Sequence, residues 1–148
     1  LRYLEDLAIG DIIKTSSIQV TESDIRAFAA LYDPQPMHLD SDAAARGPFG
    51  GLIASGWHTV AIVMRLIVDA RPFGGGPVIG LGTDEVRWPK PVRPGHAIHA
   101  EIEILAATPS RSKPDFGIVR LRITARNQHG DAVLTMMPNL WVPRRPAR

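Results

Sequence analysis

From Ile53 to Val68 apolar side chains fall on nearly every face of the helix that their spacing specifies. A helix of this kind is unstable against water, so the rest of the chain has to wrap around it. The apolar stretch, counted from Leu52, carries His58 and Arg65 and is short of the about 20 residues a bilayer span needs. It is predicted to be a buried helix at the centre of the fold, with no membrane role.

The second half of the chain supplies the wrapper. Gly74-Gly75-Gly76-Pro77 breaks the chain, and Val78 to Trp88 reads as a strand whose Gly80 and Gly82 would let a ligand or another backbone come close on one face. Trp88-Pro89-Lys90-Pro91-Val92-Arg93-Pro94-Gly95 is a stiff turn. Ile98, Ala100, Ile102 and Ile104 then alternate with His99, Glu101 and Glu103, as Val119, Leu121, Ile123 and Ala125 do with Arg120, Arg122, Thr124 and Arg126. Pairing these strands sets glutamates opposite arginines, worth a few tenths to about 1 kcal/mol per pair. Asn127-Gln128-His129-Gly130 is a hairpin turn, and Asp131 to Val142 is the last strand, broken or kept at an edge by Pro138. The predicted class is α+β, an antiparallel sheet wrapped around one long central helix.

Before that helix the chain is more local. Asp11 to Val20 is moderately β-like, and Thr21-Glu22-Ser23-Asp24 opens a capping-box helix carrying Ile25, Phe28, Ala29 and Tyr32. Asp40 to Arg46 is a helical turn and Gly47 to Gly51 a loop. With 148 residues and 45% hydrophobic content the chain is one domain, 1–148, with material for a core.

The absence of cysteine excludes a disulfide scaffold, a thiolate metal site and a thiol nucleophile, and fits a reducing, cytoplasmic location. No charged-then-apolar signal segment is visible, although a chain opening on Leu1 reads as trimmed. Net charge is +2, from 17 basic and 15 acidic residues, and Arg144, Arg145 and Arg148 sit together at the C-terminus. The body is close to neutral, without a basic stripe or interleaved aromatics, so no nucleic-acid partner is expected.

Chemistry concentrates in Asp33-Pro34-Gln35-Pro36-Met37-His38-Leu39-Asp40. Pro34 and Pro36 fix their own φ and push Asp33 and Gln35 out of the helical region, so the segment reads as a rigid extended bracket holding an acid and an imidazole at a set separation. Such a pair can move the protons of a water. It can equally be a cap, a turn and the start of the next element.

In this order the motifs resemble the hotdog fold, and within it the MaoC-like or (R)-specific enoyl-CoA hydratases. That family's motif is Asp-x-Asn-Pro-aliphatic-His with an acidic residue two further on. Asp33, Pro36, His38 and Asp40 match it, while Gln35 stands where asparagine is usual. Pro48-Phe49-Gly50-Gly51-Leu52-Ile53-Ala54-Ser55-Gly56, entering the long helix, and Trp88-Pro89-Lys90-Pro91-Val92 also resemble the family. Trp57 departs from it where a smaller side chain is common, and Met64 stands where some members carry a serine.

The resemblance implies hydration of trans-2-enoyl-CoA thioesters to (R)-3-hydroxyacyl-CoA, or the reverse dehydration. Asp33 and His38 would be catalytic, in an unassigned order of acid and base, with Gln35 and Pro36 supporting them. Ser55, Gly56 and Trp57, at the helix start, would bind substrate and the thioester oxygen. Free amides there face outward with the positive end of the helix dipole, although Gly56 is equally explained by close packing. The expected partner is an acyl-CoA or acyl-carrier thioester, with no cofactor beyond coenzyme A as part of the substrate, no metal and no membrane. Arg87, Lys90, Arg93, Arg120 and Arg122 are candidates for its phosphates, and Arg65 for the far carboxylate of a dicarboxylic substrate. His58 is expected to be a helix-face histidine satisfied by a neighbour. A homodimer or dimer of dimers follows from the exposed edges of a short curled sheet. The alternatives are a hotdog acyl-CoA thioesterase and a non-catalytic acyl-thioester binding subunit.

Overall fold

A computed structural model describes residues 2–148. A 3₁₀ turn, Leu4–Asp6, leads into the short strands β1 (Ile12–Lys14) and β2 (Ile18–Gln19), and helices α1 (Glu22–Tyr32), α2 (Pro36–Leu39), α3 (Ser41–Arg46) and α4 (Gly56–Ala70) follow. The long strands β3 (Ile79–Arg87), β4 (Ala97–Pro109), β5 (Phe116–Arg126) and β6 (Ala132–Pro143) close the chain. They form one antiparallel sheet in the order β1-β4-β5-β6-β3, with β2 paired to β4.

The alternation in β4 and β5 decides which sheet face turns inward. Ile98, Ile102, Ile104, Val119, Leu121 and Ile123 are excluded from water, and α4 sets Ile62, Val63, Leu66 and Ile67 against them. Each large apolar side chain so buried contributes roughly 1.5 to 3 kcal/mol. On the outer face Glu103 lies directly opposite Arg122 and bonds it at 2.9 Å, and Arg126 reaches Glu101 at 3.4 Å. The glutamate–arginine pairing expected from the alternation is thus present.

Three features differ from expectation. The central helix begins at Gly56, because Ile53 and Ala54 instead donate their amides to Met37 O at 3.2 Å and Val92 O at 2.9 Å. Nor is it covered all round: Trp57, Ala61, Met64 and Val68 form an exposed stripe along one side. Finally, Pro138 does not put β6 at an edge. That strand lies between β5 and β3, and its missing N–H is tolerated where β3 bulges, with register shifts after Gly80 and Asp84. The edge beyond β6 is β3, exposed along nearly its whole length, and among the described residues nothing lies within 4 Å of a Cβ at Gly80 or Gly82.

Candidate active site

The capping box at Thr21 starts α1 as expected, with Asp24 in the reciprocal position, and α1 ends at Asp33, whose amide caps it through Ala29 O at 2.9 Å. The segment beyond is less extended than its prolines imply. Pro36 takes the first position of α2, where its fixed φ is already helical and its missing N–H costs nothing, so His38 sits on a helical turn. Asp40 caps α3 through the amides of Asp42 and Ala43 at 2.9 and 3.1 Å, a structural role for the motif's second acid.

This turn is lashed to the segment before α4. Ile53 donates its amide to Met37 O, and its carbonyl lies 2.7 Å from His38 Nδ1. A carbonyl only accepts, so Nδ1 carries the hydrogen and Nε2 faces away from Ile53. Nε2 lies 3.3 Å from Asp33 Oδ2, with the imidazole side chain 4% and the carboxylate 20% exposed. The motif's acid and imidazole therefore meet. Gln35 joins them, donating from Nε2 to Asp33 Oδ1 at 2.6 Å, so the longer amide keeps contact with the pair.

The carboxyl of Asp33 is held below its ordinary range, first by the Gln35 hydrogen bond, then by the Ser55 hydroxyl and by His38. It is ionised at neutral pH. Both residues line a cavity of about 320 Å³ with Gln35, Met37, Phe49, Gly56, Trp57 and Trp88. Gly56 and Trp57 thus join Asp33 and His38, and Ser55 lies beside Asp33, completely buried.

The first hydrogen bond of α4 runs from Thr59 N to Ser55 O at 3.2 Å, so the helix supplies no acceptor for the amides of Gly56 and Trp57. Gly56 also has a packing role. A Cβ there would stand 2.6 Å from the Trp88 indole, whose Nε1 donates to Gly56 O at 2.9 Å. Trp88 in turn meets Trp57 edge-on, ring centres 5.4 Å apart. Sequence reasoning treated Trp88 only as the end of a strand and missed it as a wall of the site, together with Phe49. The signal available was the pairing of the Trp88-Pro89 turn with a glycine able to admit an indole.

Other expected residues fall elsewhere. His58 lines a different concavity with Asp24 and Arg65, stacks on Phe28 at 4.7 Å, and among the described residues has no partner for its buried Nδ1, contrary to the satisfied histidine expected. Arg65 pairs with Asp69 at 2.8 Å on an exposed face, away from the Asp33 cavity. Arg120 and Arg122 pair with Asp84 and Glu103 on the outer side of the sheet. Of the candidate phosphate ligands only Lys90 lines the cavity, held by Asp131 at 2.9 Å, while Arg93 braces Phe49 O at 2.7 Å. A second, apolar cavity of about 540 Å³ lies farther along α4, lined by Met64, Ile67 and Val68 and by Met136, Pro138 and Leu140 of β6.

Residues 6–127 match the family described as MaoC like domain. The crystal structure of the MaoC-like dehydratase from Rhodospirillum rubrum is 48% identical, covers 98% of this chain and 99% of its own, and superposes with a TM-score of 0.92. Uncharacterized protein YdeM of Bacillus subtilis is 34% identical over 84% of this chain and 87% of its own length. The 3-hydroxybutyryl-CoA dehydratase of Methylorubrum extorquens is 31% identical over 75% of this chain and 69% of its own.

Proposed function

Since the chain belongs to the MaoC-like domain family of hotdog proteins, we propose that it adds water across the double bond of a trans-2-enoyl thioester, or removes it from the (R)-3-hydroxyacyl form. The observation that carries this reading is the 3.3 Å contact between Asp33 Oδ2 and His38 Nε2 inside a cavity that also holds the start of α4. The pair works with one proton on His38 Nε2 and Asp33 ionised. Asp33 takes a proton from water as the hydroxyl adds to the β-carbon, and His38 gives its Nε2 proton to the α-carbon. The proton left on Asp33 then returns across the short contact. Both transfers come from one side of the alkene, so the addition is syn.

The negative charge that develops on the thioester oxygen falls to the amide of Gly56 at the positive end of α4. Such donors are typically worth about 3 to 4 kcal/mol in the transition state. Trp57 and Trp88 form flat walls suited to a planar enoyl group. The exposed stripe on α4 and the unpaired edge of β3 support a homodimer. The similar 3-hydroxybutyryl-CoA dehydratase supports a short acyl-CoA substrate.

Asp33→Asn and His38→Ala should each lower hydration of crotonyl-CoA by about 10² to 10⁴-fold, followed as loss of enoyl-thioester absorbance with no free thiol released. Thiol release that persists in both variants would move the assignment to a thioesterase. Tight enoyl-CoA binding without turnover would move it to a binding subunit.

A further inference from the structure

We propose that Ser55 is a positioning residue for Asp33, its buried hydroxyl donating to the carboxylate and fixing it against His38. This rests on the reading of Asp33 as the group that takes the water's proton. Serine at a helix N-cap ordinarily uses its oxygen to accept an amide of the first turn. Ser55 is the N-cap of α4, yet its side chain makes no capping bond. The residue is completely buried and, among the described residues, its Oγ makes no hydrogen bond of regular geometry, although it lies beside the Asp33 carboxylate. A buried hydroxyl without a partner is destabilising, so its persistence calls for an acceptor that the ordinary cap does not provide.

The local chain path points to that acceptor. The segment before α4 is tied to the catalytic turn, through Ile53 N to Met37 O and His38 Nδ1 to Ile53 O. Asp33 meets the same turn with its Oδ2 3.3 Å from His38 Nε2, and the Ser55 hydroxyl lies beside its carboxylate. The neighbouring Ser55 hydroxyl and the Gln35 amide act on that carboxyl in the same direction, favouring its ionised form. Asp33 would then be held by Gln35, His38 and Ser55 together, a defined orientation for a base that must withdraw a proton from a single water.

The competing role for the same hydroxyl is donation to the thioester oxygen, and the two roles separate experimentally. Protein labelled with ¹³C in the aspartate carboxyls is titrated by NMR, with the Asp33 resonance assigned by its loss in Asp33→Asn. Ser55→Ala should raise the Asp33 midpoint by about one unit, as expected for loss of a hydrogen bond to a charged acceptor. Ser55→Thr should restore it. Ser55→Cys, nearly isosteric with a weaker donor, should give an intermediate shift and carries the titration if the alanine variant does not fold. An unchanged midpoint in a folded donor-poor variant overturns the proposal.

With crotonyl-CoA, Ser55→Ala should lower kcat about tenfold, and the same change in an Asp33→Asn background should cost nothing further. An undiminished loss in that background marks Ser55 as a thioester-oxygen donor and also overturns the proposal. A wild-type protein that hydrates no enoyl thioester removes the proposed reaction, while the NMR titration still decides whether Ser55 acts on Asp33.

Discussion

Gly56 and His58 lie two residues apart on α4 and meet opposite demands. Gly56 admits the Trp88 indole, so Gly56→Ala forces a ring displacement at the cavity wall. The expected outcome is a loss of about 1 to 3 kcal/mol, as overpacking typically costs, together with weaker hydration. Thermal melts and crotonyl-CoA kinetics on the same preparation check it. His58 carries an unpartnered Nδ1, and burial pushes its pKa below the ordinary imidazole value. The unfolded chain therefore binds the proton first as pH falls, so His58 makes the fold less stable from about the ordinary pKa near 6.5 downward. His58→Leu should flatten that slope between about pH 7 and 5 and raise Tm; a Tm whose pH dependence is unchanged would refute it. Asp33 and His38 were legible as a candidate pair because they lie five residues apart, although the extended bracket read from the prolines is in fact a helical turn opened by Pro36. Trp88 was not legible, since it reaches Gly56 across 32 positions of chain.

The element that departs most from its sequence reading is α4. Its all-round hydrophobicity was read as burial by its own chain, yet Trp57 and Val68 are each 60% exposed and Met64 is 53% exposed. Periodicity reports that a face avoids water without saying which molecule covers it. The same stripe runs from the Asp33 cavity toward the apolar cavity at Met64, and β6 walls both, through Val133 at one and Met136 and Leu140 at the other. On the proposed reading, an acyl chain leaving the Asp33–His38 pair along α4 passes Ala61 and reaches Met64 at the lining of the second cavity. Met64→Ala should therefore raise kcat/KM for enoyl thioesters of eight to ten carbons relative to crotonyl-CoA by about tenfold, within the range that small changes in an apolar pocket produce. Equal ratios across a chain-length series would show that the chain takes another route.

At the scale of the molecule the sheet is closed by pairing on all strands but its edges. The long exposed edge, β3, carries Ile79 at 43% and Leu81 at 45% exposure. An apolar edge and an apolar helix stripe exposed on one protomer favour a second copy, because unpaired strand edges invite association. Val68→Asp should convert a dimer to monomer in sedimentation at micromolar concentration; an unchanged sedimentation coefficient would place the contact elsewhere. Leu4, at the start of the chain, packs so tightly over Gly117 of β5 that a Cβ there would fall 2.3 Å from it. Gly117→Ala should displace Leu4 and lower stability by about 1 to 3 kcal/mol in denaturant unfolding. The chain's own spacing determined the antiparallel strands, the capped α1 and the nearness of Asp33 to His38, because alternation, capping and a five-residue separation act over a short stretch of chain. Tertiary structure decided the start of α4, the interior place of β6 despite Pro138, the bare helix stripe and the Trp88 wall. Each depends on hydrogen bonds or contacts between segments far apart in the chain, which no local pattern encodes.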